Sequence, residues 1–161
     1  MPNKMKDIFI DAQVANKFAK PPDEHYSDLS DWLWDNNNSD KNENAHLVVC
    51  QKLINDYFRG NRHCAKSRSI CSIYDKMMRE DRILKKTSKE IEDFQKKYFR
   101  WKDIRCKRTG SSDPSLIPLI FLSKRKIGLS DDEHLLYDII NLPQWKDKAK
   151  IERHPKELNY R

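Results

Sequence analysis

Glycine is nearly missing from this chain: three occur among 161 residues. A phosphate cradle needs several glycines within a few positions, and neither G-x-G-x-x-G nor a P-loop pattern is present. Dinucleotide and P-loop nucleotide chemistry are thereby set aside. Cysteine is also sparse. Cys50, Cys64, Cys71 and Cys106 form no C-x-x-C pair, which predicts reduced thiols rather than a disulfide framework. His63, Cys64 and Cys71 match no common zinc-ligand spacing. No apolar run approaches the length of a bilayer span. Residues 1–7 lack the apolar centre of a secretory signal. The expectation is a cytoplasmic protein with no membrane partner.

What is present is charge. Charged residues make up 35% of the chain and hydrophobic residues 37%, enough for one modest core under a wet surface. The length suits a single domain spanning residues 1–161. The formal net charge of +7 favours a polyanionic partner.

Short apolar runs alternate with helical patterns. Residues 8–10, 46–50 and 126–130 read as buried strands, and residues 148–152 as a last edge strand. Tyr26, Leu29, Trp32 and Leu33 fall at helical spacing. So do Leu53, Ile54, Tyr57 and Phe58, then Ile70, Ile73, Tyr74, Met77 and Met78, with core packing as the default reading. Thr87 and Glu90 have capping-box spacing before Ile91 and Phe94. A helix over 116–122 requires Pro118 to lie in its first turn. Leu135, Leu136, Ile139 and Ile140 mark another helix face. Strands separated by helices predict an α/β domain: a parallel sheet of about four strands, flanked by helices.

Aspartates recur where strands end. Asp11 closes the first strand and Asp131-Asp132 the third. Asp56 follows the second strand by about one and a half helical turns, and Asp113 opens the helix before the third. In open α/β sheets ligands bind beyond the carboxyl ends of the strands, so four carboxylates can converge there. Grouped like charges repel. A divalent cation offsets that cost, and Mg2+ or Mn2+ suits oxygen ligands and phosphodiester substrates. Each acid also has a plainer reading: Asp11 and Asp113 as helix caps, Asp56 as a solvated helix residue, Asp132 as a turn residue.

These segments together resemble the PIN-like nuclease family. Ile8-Phe9-Ile10-Asp11-Ala12-Gln13-Val14 resembles its opening strand and first acid. Leu47-Val48-Val49-Cys50 through Asp56-Tyr57 resembles the second strand and acid-bearing helix. Asp113 with Leu116-Ile117-Pro118-Leu119 is similar to the third-acid helix, and Gly128-Leu129-Ser130-Asp131-Asp132 to the strand ending in hydroxyl, polar residue and aspartate. Residues 151–158 resemble the closing strand and proline turn. The resemblance implies Asp11, Asp56, Asp113 and Asp132 as catalytic, metal-binding acids, with Ser130 as a supporting hydroxyl. It also implies Mg2+ or Mn2+ as cofactor and cleavage of single-stranded RNA by a metal-activated water. Two positions depart from the pattern: Asp56 stands where glutamate is usual, and Cys50 where a hydroxyl residue is common.

A basic, aromatic stretch offers a surface for the substrate. Residues 96–108 carry seven basic side chains and one acid, interleaved with Tyr98, Phe99 and Trp101. Lysine and arginine neutralise phosphates while aromatics stack on unpaired bases. Arg59, Arg62, Lys97, Arg100, Arg105 and Arg108 are the candidate contacts to RNA, with single-stranded DNA as an alternative ligand. An inhibitor protein or a second copy of the chain remains open as a protein partner. Two other functions compete: a non-catalytic PIN-like module that binds RNA or protein, and a phosphotransferase using Asp11 as nucleophile. Against the last, Gln13 stands where such enzymes want a second aspartate.

Overall fold

A computed structural model describes residues 5–59, 68–98, 115–141 and 147–161. In chain order the elements are β1 (Lys6–Ile10), α1 (Ala12–Ala15), α2 (Glu24–Trp34), β2 (Ala45–Val49), α3 (Gln51–Arg59) and α4 (Ile70–Arg79). Then come β3 (Ile83–Lys85), α5 (Ser88–Tyr98), α6 (Leu116–Leu122), β4 (Ile127–Leu129), α7 (Glu133–Asn141) and β5 (Lys150–Glu152). Short 3-10 turns occupy Asn16–Ala19, Lys41–Glu43 and Pro155–Glu157. The strands form one sheet in the order β3-β2-β1-β4-β5, and every pairing is parallel.

The sheet has five strands rather than four. The added strand, β3, is three residues long, and none of its side chains is fully buried. Such a segment carries no readable alternation. It is a strand because Leu47, Val48 and Val49 of β2 pair with it. All five residues of β2 are buried, as expected of a parallel strand covered on both faces. Helices α2 and α6 both pack on β2; α2 joins α4, and α3 touches α1 and α4, while α5 and α7 join α6.

Local signals hold where they are local. Thr87 Oγ1 accepts the Glu90 N–H at 3.1 Å, and Glu90 Oε2 accepts the Thr87 N–H at 2.8 Å, a reciprocal capping box. Pro118 is the third residue of α6, where its missing N–H costs no helical hydrogen bond. Tyr26, Leu29, Leu33, Ile73 and Met77 are buried as their spacing predicts. Phe58 and Met78 are not: they stand 40% and 53% exposed, outside the face their helices bury. The third strand begins at Ile127, since Lys126 has φ of 54°, a left-handed conformation incompatible with a strand.

Two contacts fix β4 beside β1. A Cβ added at Gly128 would lie 2.5 Å from the Phe9 carbonyl oxygen and 2.8 Å from its ring. The first neighbour is backbone in the next strand, so it cannot swing aside. Gly128→Ala is expected to lower stability by about 1–3 kcal/mol, the usual cost of overpacking. Urea denaturation measures it, and an unchanged midpoint would contradict the close approach of the two strands.

At the opposite end of β1, buried Asp7 accepts the backbone N–H groups of Lys124 at 2.6 Å and Arg125 at 3.0 Å. The Arg125 guanidinium donates to the Asp7 and Tyr160 carbonyls. Burial pulls the Arg125 pKa down, and the charge of Asp7 works against that shift. Asp7 thus ties the entry of β4 to the start of β1.

Candidate functional site

The chain runs outward from β1 to β2 and β3, then returns to β1's other side for β4 and β5. The order therefore reverses between β1 and β4. At such a switch point the loops leaving the two carboxyl ends diverge and open a crevice. The residues that leave these two strands are Asp11 and Ser130.

The sequence places them there by apolar pressure. Ile8, Phe9 and Ile10 are wholly buried, and β1 ends at the charge that follows them, Asp11. The Asp11 N–H donates to the Leu129 carbonyl at 2.9 Å, which extends the β1–β4 ladder by one bond. Its Oδ1 accepts the Ala12 N–H at 2.8 Å, and its Oδ2 accepts the Ser130 hydroxyl at 2.7 Å. The Ser130 N–H donates to the Glu152 carbonyl at 3.0 Å, so β5 fixes the Ser130 backbone. Ser130 Oγ in turn accepts the Asp132 N–H at 3.1 Å. A hydroxyl has one proton, and here the Asp11 carboxylate receives it. Ser130 thus links Asp11 to the backbone of Asp132 through two hydrogen bonds.

Asp132 also serves locally. Its Oδ1 accepts the His134 N–H at 2.9 Å, an N-cap for α7. Asp11 and Asp132 both bond the first residues of the helices that follow them.

Asp56 stands half-buried on α3, with Arg59 at 3.7 Å. Its neighbour Tyr57 is fully buried and donates its hydroxyl to the Ile10 carbonyl. That bond pins α3 to the end of β1. Burial, followed by the negative charge of Asp11, raises the Tyr57 pKa well above its ordinary value, so it remains a neutral donor. Asp113 lies outside the described residues, which resume at Ser115, the residue before α6. Among the described residues, no group of three His, Cys, Asp or Glu side chains could hold a metal ion. The structure therefore brings Asp11, Ser130 and Asp132 together, without making Asp11, Asp56 and Asp132 a ready-made three-acid nest.

The basic candidates divide similarly. Arg59 is largely exposed. Lys97 is exposed at the end of α5, its ammonium 5.2 Å from the Tyr98 ring centre. Arg62, Arg100, Arg105 and Arg108, with Phe99 and Trp101, lie outside the described residues. So do His63, Cys64 and Cys106, whereas Cys50 and Cys71 are buried.

The structure adds a residue that sequence reasoning missed. Lys17 Nζ lies 2.6 Å from Asp131 Oδ2 and 3.5 Å from the Tyr26 hydroxyl. Its hydrogen bond to Asp131 raises its pKa against the opposing effect of burial. A pair separated by 114 residues leaves no local signal. A separate cavity of about 460 Å³ is lined by Phe18, Pro21, Ser27, Ser30, Asp31 and Arg68, and by none of the candidate acids.

No known protein family, curated protein or solved structure matches the chain. Among the described residues no helix is long and apolar enough to cross a membrane.

Proposed function

We propose that this chain is a PIN-like, divalent-metal-dependent ribonuclease that hydrolyses single-stranded RNA. The observation that carries the reading is Asp11 at the β1–β4 switch point, oriented by a buried serine just past the neighbouring strand. An acid placed there by the sheet, and aimed by the hydroxyl of the residue that follows β4, is a costly arrangement for a mere helix cap.

The donor set fits the ion. Carboxylate oxygens are hard ligands, and Mg2+ commonly takes only one or two of them while keeping waters and substrate phosphate. Asp11 and Asp132 would hold the ion, joined in this reading by Asp113 and by Asp56. When bound, the ion supplies a water of lowered pKa and stabilises charge on the leaving oxygen. Ser130 keeps the Asp11 carboxylate in one rotamer. Tyr57 holds the end of β1, and so the Asp11 backbone, against α3. The reading assigns the protein to the cytoplasm and makes RNA its partner.

The test is cleavage of a labelled single-stranded RNA with manganese and with EDTA. Wild type is expected to cut only with metal. Ser130→Ala should cut about 10–100-fold more slowly, the range for removing a group that orients a metal ligand. No cleavage by wild type with manganese would reject the enzyme. RNA binding without cleavage would instead favour a non-catalytic module.

A further inference from the structure

Three consecutive acids, Asp131, Asp132 and Glu133, carry the chain from β4 into the first residue of α7. The middle one caps the helix. Each flanking one holds a cation from a different part of the chain. Lys17, from the 3-10 turn after α1, meets Asp131 at 2.6 Å. Arg153, the first residue after β5, meets Glu133 at 3.5 Å. Both cations therefore sit at the carboxyl edge of the sheet, on the two neighbours of Asp132.

Stability does not account for them. The side chains of the Lys17–Asp131 pair are 35% and 30% exposed, and those of the Arg153–Glu133 pair 52% and 77%. Pairs this wet contribute little to stability. Chemistry gives a better reason. Asp11, Asp131, Asp132, Glu133 and Glu152 all lie at this edge, and a polyanion would be repelled by them. Metal alone answers only the charge it touches. A strand crossing the crevice needs fixed cations at its phosphates, and exposed ion pairs can exchange a carboxylate for a phosphate at little cost.

We propose that Lys17 and Arg153 form a phosphate grip that holds the backbone of a single-stranded polynucleotide across the β4–α7 turn. In the free protein Asp131 and Glu133 park the two cations in place. The grip rests on the nuclease reading for its purpose, but its binding step needs no metal and no cleavage.

The experiment is fluorescence anisotropy in EDTA with the whole chain and a labelled oligouridylate of about twelve nucleotides, a length typical of single-strand sites. Lys17→Gln and Arg153→Gln should each weaken binding roughly 3–10-fold and make the salt slope shallower by about 0.7, one single-strand phosphate contact apiece. Lys17→Arg and Arg153→Lys should hold most of the affinity. Arg79→Gln is the charge control: it is exposed at the end of α4, toward the edge where strands begin, and should change little. Glutamine variants that behave like Arg79→Gln would overturn the proposal. So would charge-keeping variants that lose as much as the glutamines, since the loss would then lie in local packing. Failure of the nuclease reading is distinguishable: wild type would bind RNA through the grip yet fail to cut with manganese.

Discussion

Asp11→Asn should reduce metal-dependent RNA cleavage by roughly a hundredfold or more, the scale of losing a preorganised electrostatic group, while the apo protein melts close to wild type. Asparagine is nearly isosteric. Its amide oxygen can still accept the Ala12 N–H, and its amide nitrogen can donate to Ser130 Oγ, which turns to accept. The two bonds now made at 2.8 and 2.7 Å keep their partners. What disappears is the negative charge that would hold a cation. Asparagine is also a good helix cap, so a purely structural Asp11 would tolerate the change without loss of cleavage. Cleavage and melting measured on the same preparation separate the two roles, and a variant that cuts like wild type would remove Asp11 from the site.

Asp7→Ala should do the reverse. Asp7 lies four residues earlier on the same strand, at its other end. Its removal leaves the Lys124 and Arg125 N–H groups without their acceptor and a partly buried guanidinium without its counter-charge. Arg125 Nη2 is already buried without a hydrogen-bond partner, so it has little reserve. Breaking a buried charge pair on one side costs about 3–5 kcal/mol, a large share of the roughly 5–15 kcal/mol that holds a domain together. Urea denaturation should show that loss, and Asp7→Asn, which keeps one acceptor oxygen, should show less. Whatever fraction of Asp7→Asn remains folded should cut RNA at the wild-type rate. A loss below about 1 kcal/mol, the scale of an ordinary hydrogen bond, would contradict the role given to Asp7.

That contrast shows what the sequence can reveal. Asp7 and Asp11 both flank the apolar run Ile8-Phe9-Ile10, and only strand direction makes one of them a candidate ligand. The direction was readable, since helices between strands imply a parallel sheet whose carboxyl ends share one edge. Asp11 and Ser130 could therefore be placed at that edge from sequence. The structural task of Asp7 could not, because its backbone donors lie 117 and 118 residues away. The same holds for Lys17 and Asp131. Signals within four residues survive well, as the Thr87–Glu90 box shows. Strand β3 was illegible for a different reason: three residues at a sheet edge carry too little pattern, and pairing with β2 decides their conformation. Phe58 and Met78 misled because an apolar residue beside a helix's buried face has the right type and the wrong angle.

The central claim is that the edge formed by Asp11, Ser130 and Asp132 binds a divalent cation. Thermal melting of wild type and Asp11→Asn, with and without manganese, tests it most directly, because it needs neither substrate nor turnover. An ion that binds only the folded state stabilises it by about 2.7 kcal/mol at roughly 100 times its Kd, or about 5–10 °C for a domain of this size. Wild type should show that rise with manganese, and Asp11→Asn a clearly smaller one. A wild type that melts at the same temperature with and without manganese, or a variant that gains as much as wild type, would contradict the claim.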